Sequence, residues 1–292
     1  MRRPIGKLTL LIFIFLALVL LSAKFIRPEN KLISPFPLQF FPTSNLRLIA
    51  ESTFRDFDGK YAIYIQNLKT KESLKINADQ TFGSASLYKL WLMATIFDKV
   101  SKGELKESES VEGSISAINK KYGIEKEDAE LTEGYLQYSV TSAVEQMITI
   151  SHNYAALLLL EKSSNSEIDE FIKELGLKTS KMSVPPETSA SDIGLFYERL
   201  YRGEIISPEY SQKMIEVLKK QKLNDRLAKD LPEGVVFAHK TGNLDLIEND
   251  AGIIHSPLGD YIIVVLTESK TPLEARDKMA QFSKAVYEYF NK

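Results

Sequence analysis

The two ends of this chain carry strand patterns and its middle carries helix patterns. Residues 61–67 (YAIYIQN) alternate and are rich in β-formers, and 74–76 can pair with them across a turn. Three more strand patterns lie far away, at 235–239, 250–255 and 261–267. The segments between them read as helices. Residues 86–100 are apolar on most faces, as a buried helix requires, and 142–160 form a second helical stretch that breaks near Ser151. A short amphipathic helix at 167–175 ends at Gly176, a residue suited to a C-cap, and Ser189 or Asp192 caps a helix running to Tyr201. Helices at 207–220 and 272–291 complete the pattern. This order predicts a sheet assembled from both termini, with an inserted helical lobe.

The N-terminus sets the expected location. Residues 1–7 are basic and 8–23 are an almost unbroken apolar run. That is the layout of a signal peptide or signal anchor. Lys24 can snorkel, which extends the run to Ile26, and Leu21 is a poor residue for cleavage after Ala23. We therefore expect 1–28 to anchor the chain, or to be cleaved near Ala23, and the body to lie outside the cytoplasmic membrane. Pro35, Pro37 and Pro42, with Pro28 just before them, make 29–46 an extended linker, which leaves 47–292 as the domain. The basic residues of 1–28 mask a surplus of acid in the remainder, because the whole chain carries only -2. An acidic body has no electrostatic footprint for nucleic acid. The chain has no cysteine, which excludes disulfides, thiolate metal sites and a cysteine nucleophile.

Three short motifs carry chemistry. In Ser86-Leu87-Tyr88-Lys89 the spacing puts Lys89 beside Ser86 on one helix face. A serine hydroxyl needs an adjacent base, and a lysine desolvated by burial loses proton affinity and can serve as one. Ser151-His152-Asn153 places poor helix formers between apolar runs, which suggests a helix break that turns polar groups into a cleft. Lys240-Thr241-Gly242 follows the strand pattern at 235–239 and offers a cation, a hydroxyl and a close backbone approach, although the tripeptide alone also reads as a β-turn.

In this order the three motifs resemble those of class A β-lactamases and penicillin-binding proteins. The likeness extends through Phe82–Leu90, MITISHNYA at 147–155, Asn224-Asp225-Arg226, Leu231-Pro232-Glu233-Gly234 and the strands that follow Lys240. It implies an α/β fold of two lobes, a mainly antiparallel sheet flanked by helices and an all-helical lobe, with the site between them. It also implies roles. Ser86 attacks the carbonyl of a β-lactam or D-alanyl peptide and Lys89 takes its proton. Ser151 relays a proton to the departing nitrogen, assisted by Lys240. Asn153 binds the substrate's side-chain amide, and Thr241, beside Gly242, binds its carboxylate with Arg226 in support. The backbone N–H groups of Ser86 and Asn243 form the oxyanion hole. No metal or organic cofactor is implied.

Two departures stand out. His152 occupies a position where the family has aspartate, which alters local packing, with a catalytic His152 as the alternative. His239 and His255 suit strand positions better than metal ligation. The loop that in class A β-lactamases carries a water-activating glutamate is cut to KTSKMSVPPE, and Glu187 is its one acid. The resemblance therefore implies a DD-peptidase-like enzyme acylated by β-lactams and slow to release them. The alternatives are a true β-lactamase, with Glu187 or Lys89 activating the water, and a non-catalytic cell-wall-binding module.

Overall fold

The computed structural model describes residues 45–292. The expected anchor and most of the expected linker lie outside these residues. Among the described residues no helix is long and apolar enough to cross a membrane.

A five-stranded sheet forms the body's frame. Its strands are β1 (Gly59–Asn67), β2 (Ser73–Ile76), β7 (Phe237–Leu244), β8 (Ile247–Ile254) and β9 (Tyr261–Ser269). Their order is β2-β1-β9-β8-β7, and every pairing is antiparallel. The ends of the chain meet where β1 pairs β9, from Gly59 opposite Ser269 to Asn67 opposite Tyr261.

Both faces of the sheet are covered, which explains the unbroken apolar run in β9. Successive side chains of a strand point to opposite faces. Tyr261, Ile263 and Val265 pack with Leu46 and Ala50 of α1 (Asn45–Thr53), with Phe54 just after it, and with Met279 and Phe282 of α9 (Pro272–Phe290). Ile262, Val264 and Leu266 instead join the core of the helical lobe, around Trp91 and Phe196. Each such buried Ile, Leu or Val stabilises the fold by about 1.5–3 kcal/mol.

The helical lobe contains α2 (Tyr88–Ser101), α3 (Ile115–Tyr122), α4 (Val140–Thr149), α5 (Asn153–Leu160), α6 (Asn165–Glu174), α7 (Ala190–Tyr201) and α8 (Pro208–Leu218). Serines cap several of them. Ser139 accepts from Ser142 N–H and Ser189 from Asp192 N–H, and Ser164 forms a capping box with Glu167. Gly176 follows α6 with φ of 71°, the left-handed geometry that its sequence position suggested. Helix α7 lies so close to the sheet that a Cβ on Gly194 would sit 2.4 Å from the Tyr64 ring.

Several elements differ from the sequence reading. The lobe is not purely helical, because β4 (Ser110–Ser114) and β5 (Tyr135–Ser139), with α3 between them in the chain, pair as a two-stranded antiparallel sheet within it. Their residues are half exposed and mostly polar, so they leave no apolar signature. Helix α1 starts at Asn45, inside the segment read as linker, and Leu46 is fully buried. Lys240-Thr241-Gly242 does not follow a strand but lies within β7, paired with Ala251, Asp250 and Asn249. The turn comes later, at Asp245-Leu246, where Asp245 takes a φ of 49°.

Candidate functional site

The nucleophile candidate stands at the mouth of the buried helix. A two-residue strand β3 (Phe82–Gly83) leads into a 3₁₀ turn at Ala85–Leu87, and α2 begins at Tyr88. Ser86 is on that turn, and Lys89 is in the first turn of α2 with no exposed surface. Ala85 has a φ of 44°, a strained geometry for a residue with a Cβ. The strain is borne by the chain that presents Ser86. Asn249, fully buried on β8, ties the turn to the sheet through Nδ2 donating to Gly83 O at 3.0 Å and Ser84 O at 3.2 Å.

The break between α4 and α5 supplies the second group. Ser151 takes a φ of 58°, and His152 caps α5 by accepting the Ala155 N–H at its Nδ1, 3.2 Å away. An acceptor Nδ1 requires an unprotonated nitrogen there. Burial lowers the His152 pKa, in keeping with that state, while Glu130 opposes the shift and Lys89 adds to it. His152 therefore does the work of a capping residue at the point where the chain turns Ser151 and Asn153 toward Lys89.

Lysines from two directions converge on Ser151. Lys89 Nζ donates to Ser151 O at 2.7 Å and Asn153 Oδ1 at 2.6 Å, and lies 3.2 Å from Ser151 Oγ. Lys240 Nζ, from β7, lies 3.1 Å from the same Oγ and donates to Thr241 O at 2.8 Å. Burial pulls the Lys89 pKa down to about 7, with Glu130 opposing the shift. Burial, and then the nearby Lys89, hold Lys240 well below the ordinary lysine range, against the pull of Asp250. Two ammonium groups around one hydroxyl would repel each other in a low-dielectric site. A neutral Lys89 keeps two N–H bonds on its two short contacts and leaves a lone pair for a hydroxyl proton.

The third wall is the edge strand. A Cβ on Gly242 would lie 2.9 Å from Ser84 O and 3.2 Å from the backbone nitrogen of Ser86. Glycine is thus required for β7 to reach the turn that carries Ser86. Asn243 follows, exposed and opposite Glu248. The Thr241 hydroxyl is buried and has no hydrogen-bond partner among the described residues.

Two of the sequence-derived residues face elsewhere. Arg226 is buried with its guanidinium on Glu248, 2.7 Å from Nε, and on Asp225, 2.5 Å from Nη1. Arg276 of α9 bonds both of those acids and closes the network. Glu187 lies on β6 (Glu187–Thr188), which pairs with β3. Its carboxylate is held by Lys181 Nζ at 2.8 Å and makes no hydrogen bond to Ser86, Lys89 or Ser151.

Other residues at the site went unnoticed in the sequence. Asp192 anchors the short loop by accepting from the N–H groups of Lys178, Thr179 and Ser180 at 2.7–3.0 Å, and from Ser180 Oγ at 2.9 Å. The sequence offers it only as a candidate cap for the helix running to Tyr201. Glu248 and Asn249 had one available signal, a run of three polar residues, Glu248-Asn249-Asp250, at the start of an apolar strand pattern. Glu130, which bonds Asn153, had none, because its loop has no periodicity.

The family model for the beta-lactamase enzyme family matches residues 46–290. The chain belongs to this family. Among curated proteins, it is similar to the beta-lactamase VEB-1 of Pseudomonas aeruginosa, with 22% identity over 279 residues, covering 85% of this chain and 91% of VEB-1. Among solved structures, PBP-A superposes with a TM-score of 0.73 at 24% identity, over 84% of this chain and 95% of PBP-A. A beta-lactamase from Sphaerobacter thermophilus superposes with a TM-score of 0.74 at 23% identity, over 84% of this chain and 96% of the other. A PBP-A mutant, solved as an acyl-enzyme complex with penicillin G, gives 0.72 at 23% identity, over 84% and 95%. This beta-lactamase-family protein has the class A β-lactamase fold, and its family is one of serine hydrolases.

Proposed function

We propose that this protein is a penicillin-binding, DD-peptidase-like enzyme that is acylated on Ser86 and deacylates β-lactam adducts slowly. The observation that carries this reading is the contrast between the linked Lys89–Ser151–Lys240 set and a short loop whose one acid is tied to Lys181.

In the proposed acylation, neutral Lys89 takes the Ser86 proton as Oγ forms a bond to the acyl carbon. Backbone N–H groups of Ser86 and Asn243 receive the developing oxyanion, an effect of about 3–4 kcal/mol per donor. The carbonyl carbon–nitrogen bond then breaks. Ser151, between the two lysines, hands its proton to the departing nitrogen and is reprotonated by Lys89. Thr241 Oγ1 binds the leaving group's carboxylate, and Arg226 contributes only the field left after its pairing with Glu248. Asn153 orients the acyl side chain. Hydrolysis of the ester needs a base beside a water, and Glu187 is committed to Lys181.

The matched family and VEB-1 favour a second reading, turnover of β-lactams as a true β-lactamase. Intact mass of the protein over time with penicillin G separates the two. A long-lived single adduct, absent in Ser86→Ala, supports the peptidase. Opened penicillin with a transient adduct supports the β-lactamase. Neither would return the protein to a non-catalytic wall-binding role. The basic and apolar N-terminus supports placing the domain outside the membrane, and protease accessibility on intact cells tests that.

A further inference from the structure

Glu130 is a surface acid in the loop between α3 and β5, yet its position is defined from two sides. The next residue, Leu131, has its carbonyl 2.8 Å from both the Tyr154 hydroxyl of α5 and Asn119 Nδ2 of α3, and its N–H donates to the same hydroxyl at 3.3 Å. Tyr154 also lies 2.8 Å from Asn119 Oδ1. Pinned in this way, the loop sends the Glu130 carboxylate to Asn153, whose Nδ2 donates to Oε1 at 2.5 Å.

The consequence for Asn153 is a full set of obligations. Its Oδ1 accepts from Lys89 at 2.6 Å and one Nδ2 hydrogen is on Glu130, so one hydrogen remains for a substrate. That hydrogen is the one available for the carbonyl of the acyl side-chain amide. Whatever substituent continues from that amide passes beside a carboxylate.

We propose that Glu130 determines acyl-side-chain specificity, selecting substrates that carry a protonated amine close to the acyl amide and disfavouring those with an anion there. This rests on the reading of Ser86 as the acylated residue. Glu130 is also a positioning residue, since it fixes the Asn153 amide that in turn holds Lys89. Its negative charge opposes the fall in the Lys89 pKa and so supplies a second readout.

The experiment measures the rate of Ser86 labelling by three penicillins that share one nucleus. Ampicillin carries an α-ammonium, penicillin G is neutral there, and carbenicillin carries an α-carboxylate. Glu130→Gln keeps an oxygen for Asn153 and removes the charge, whereas Glu130→Ala removes both. The expected preference of the native protein for ampicillin over carbenicillin is roughly tenfold larger than that of Glu130→Gln at low salt, and it shrinks as salt is added. Glu130→Ala slows labelling by all three. In Glu130→Gln the rising limb of the pH profile moves to lower pH, because an anion that favours protonated Lys89 has gone; a merely structural residue would not move it. An equal preference in native protein and Glu130→Gln would overturn the inference while leaving Ser86 acylation standing. No adduct with any of the three would overturn the acyl-enzyme reading and this inference with it.

Discussion

The two walls facing Ser86 are built in opposite ways. On one side, α2, the α4–α5 break and β7 bring buried side chains together, and Lys89 and Lys240 meet at one hydroxyl with no exposed surface of their own. On the other, the loop from Lys178 to Glu187 is held by its backbone on Asp192, and its carboxylate reaches outward to a half-exposed lysine. Burial is what changes a lysine into a base, so the first wall gains chemistry from its position. The second wall gains only shape. The protein thus sets a buried pair of lysines around one hydroxyl, beside a loop whose one carboxylate is paired with Lys181.

The comparison can be broken at four points. The largest effect is expected from Ser86→Ala, which should leave no covalent penicillin adduct at any time by intact mass. An adduct on that variant would move the nucleophile elsewhere.

Next comes Lys89→Met, which keeps the buried volume and removes the base. Acylation should slow by roughly 10²–10⁴-fold. In the native protein the acylation rate should rise with pH through about 7 and level off above, because the proton acceptor is the deprotonated form of a lysine whose pKa burial has lowered to about 7. A stopped-flow profile that falls across this range would contradict a lysine base.

A smaller effect is expected from Asp192→Asn. It replaces an acceptor of four hydrogen bonds with a group that has half the acceptor capacity, and should cost about 1–3 kcal/mol in urea denaturation. Acylation should persist, since Asp192 touches neither lysine. Loss of labelling in folded Asp192→Asn would show that the loop's shape is needed for the first chemical step.

The smallest belongs to Glu187→Gln. Its ion pair with Lys181 is partly exposed, so stability and adduct lifetime should each change by less than about threefold. A large lengthening of the adduct's life would instead identify Glu187 as the water's base and erase the contrast between the walls.

Much of this site was legible in the residues. The i, i+3 spacing of Ser86 and Lys89, the misplaced polar triplet at Ser151–Asn153 and the glycine after Thr241 each carry a local physical signature, and the structure brings them together. The charge network that encloses Arg226, in which Arg276 shares the carboxylate of Glu248, was not legible. Glu248 and Arg276 are distant in sequence, and only the stacking of α9 on β8 makes them neighbours. The β4–β5 pair was missed because its strands are short and only Val111 among their residues is buried, which leaves no apolar alternation to detect.

The sequence by itself determined which segments had to be buried and which could bend, because hydrophobic period, glycine and capping serines act over a few residues. It also set Ser86 and Lys89 three residues apart at the start of one buried helix. Tertiary structure alone decided that Lys240 and Lys89 share one hydroxyl, that Glu187 is paired away and Arg226 neutralised, and that Glu130 reaches Asn153. Those outcomes depend on side chains from separate elements meeting in a cleft, where burial and the charges of neighbours set what each group can do, and no local pattern encodes that meeting.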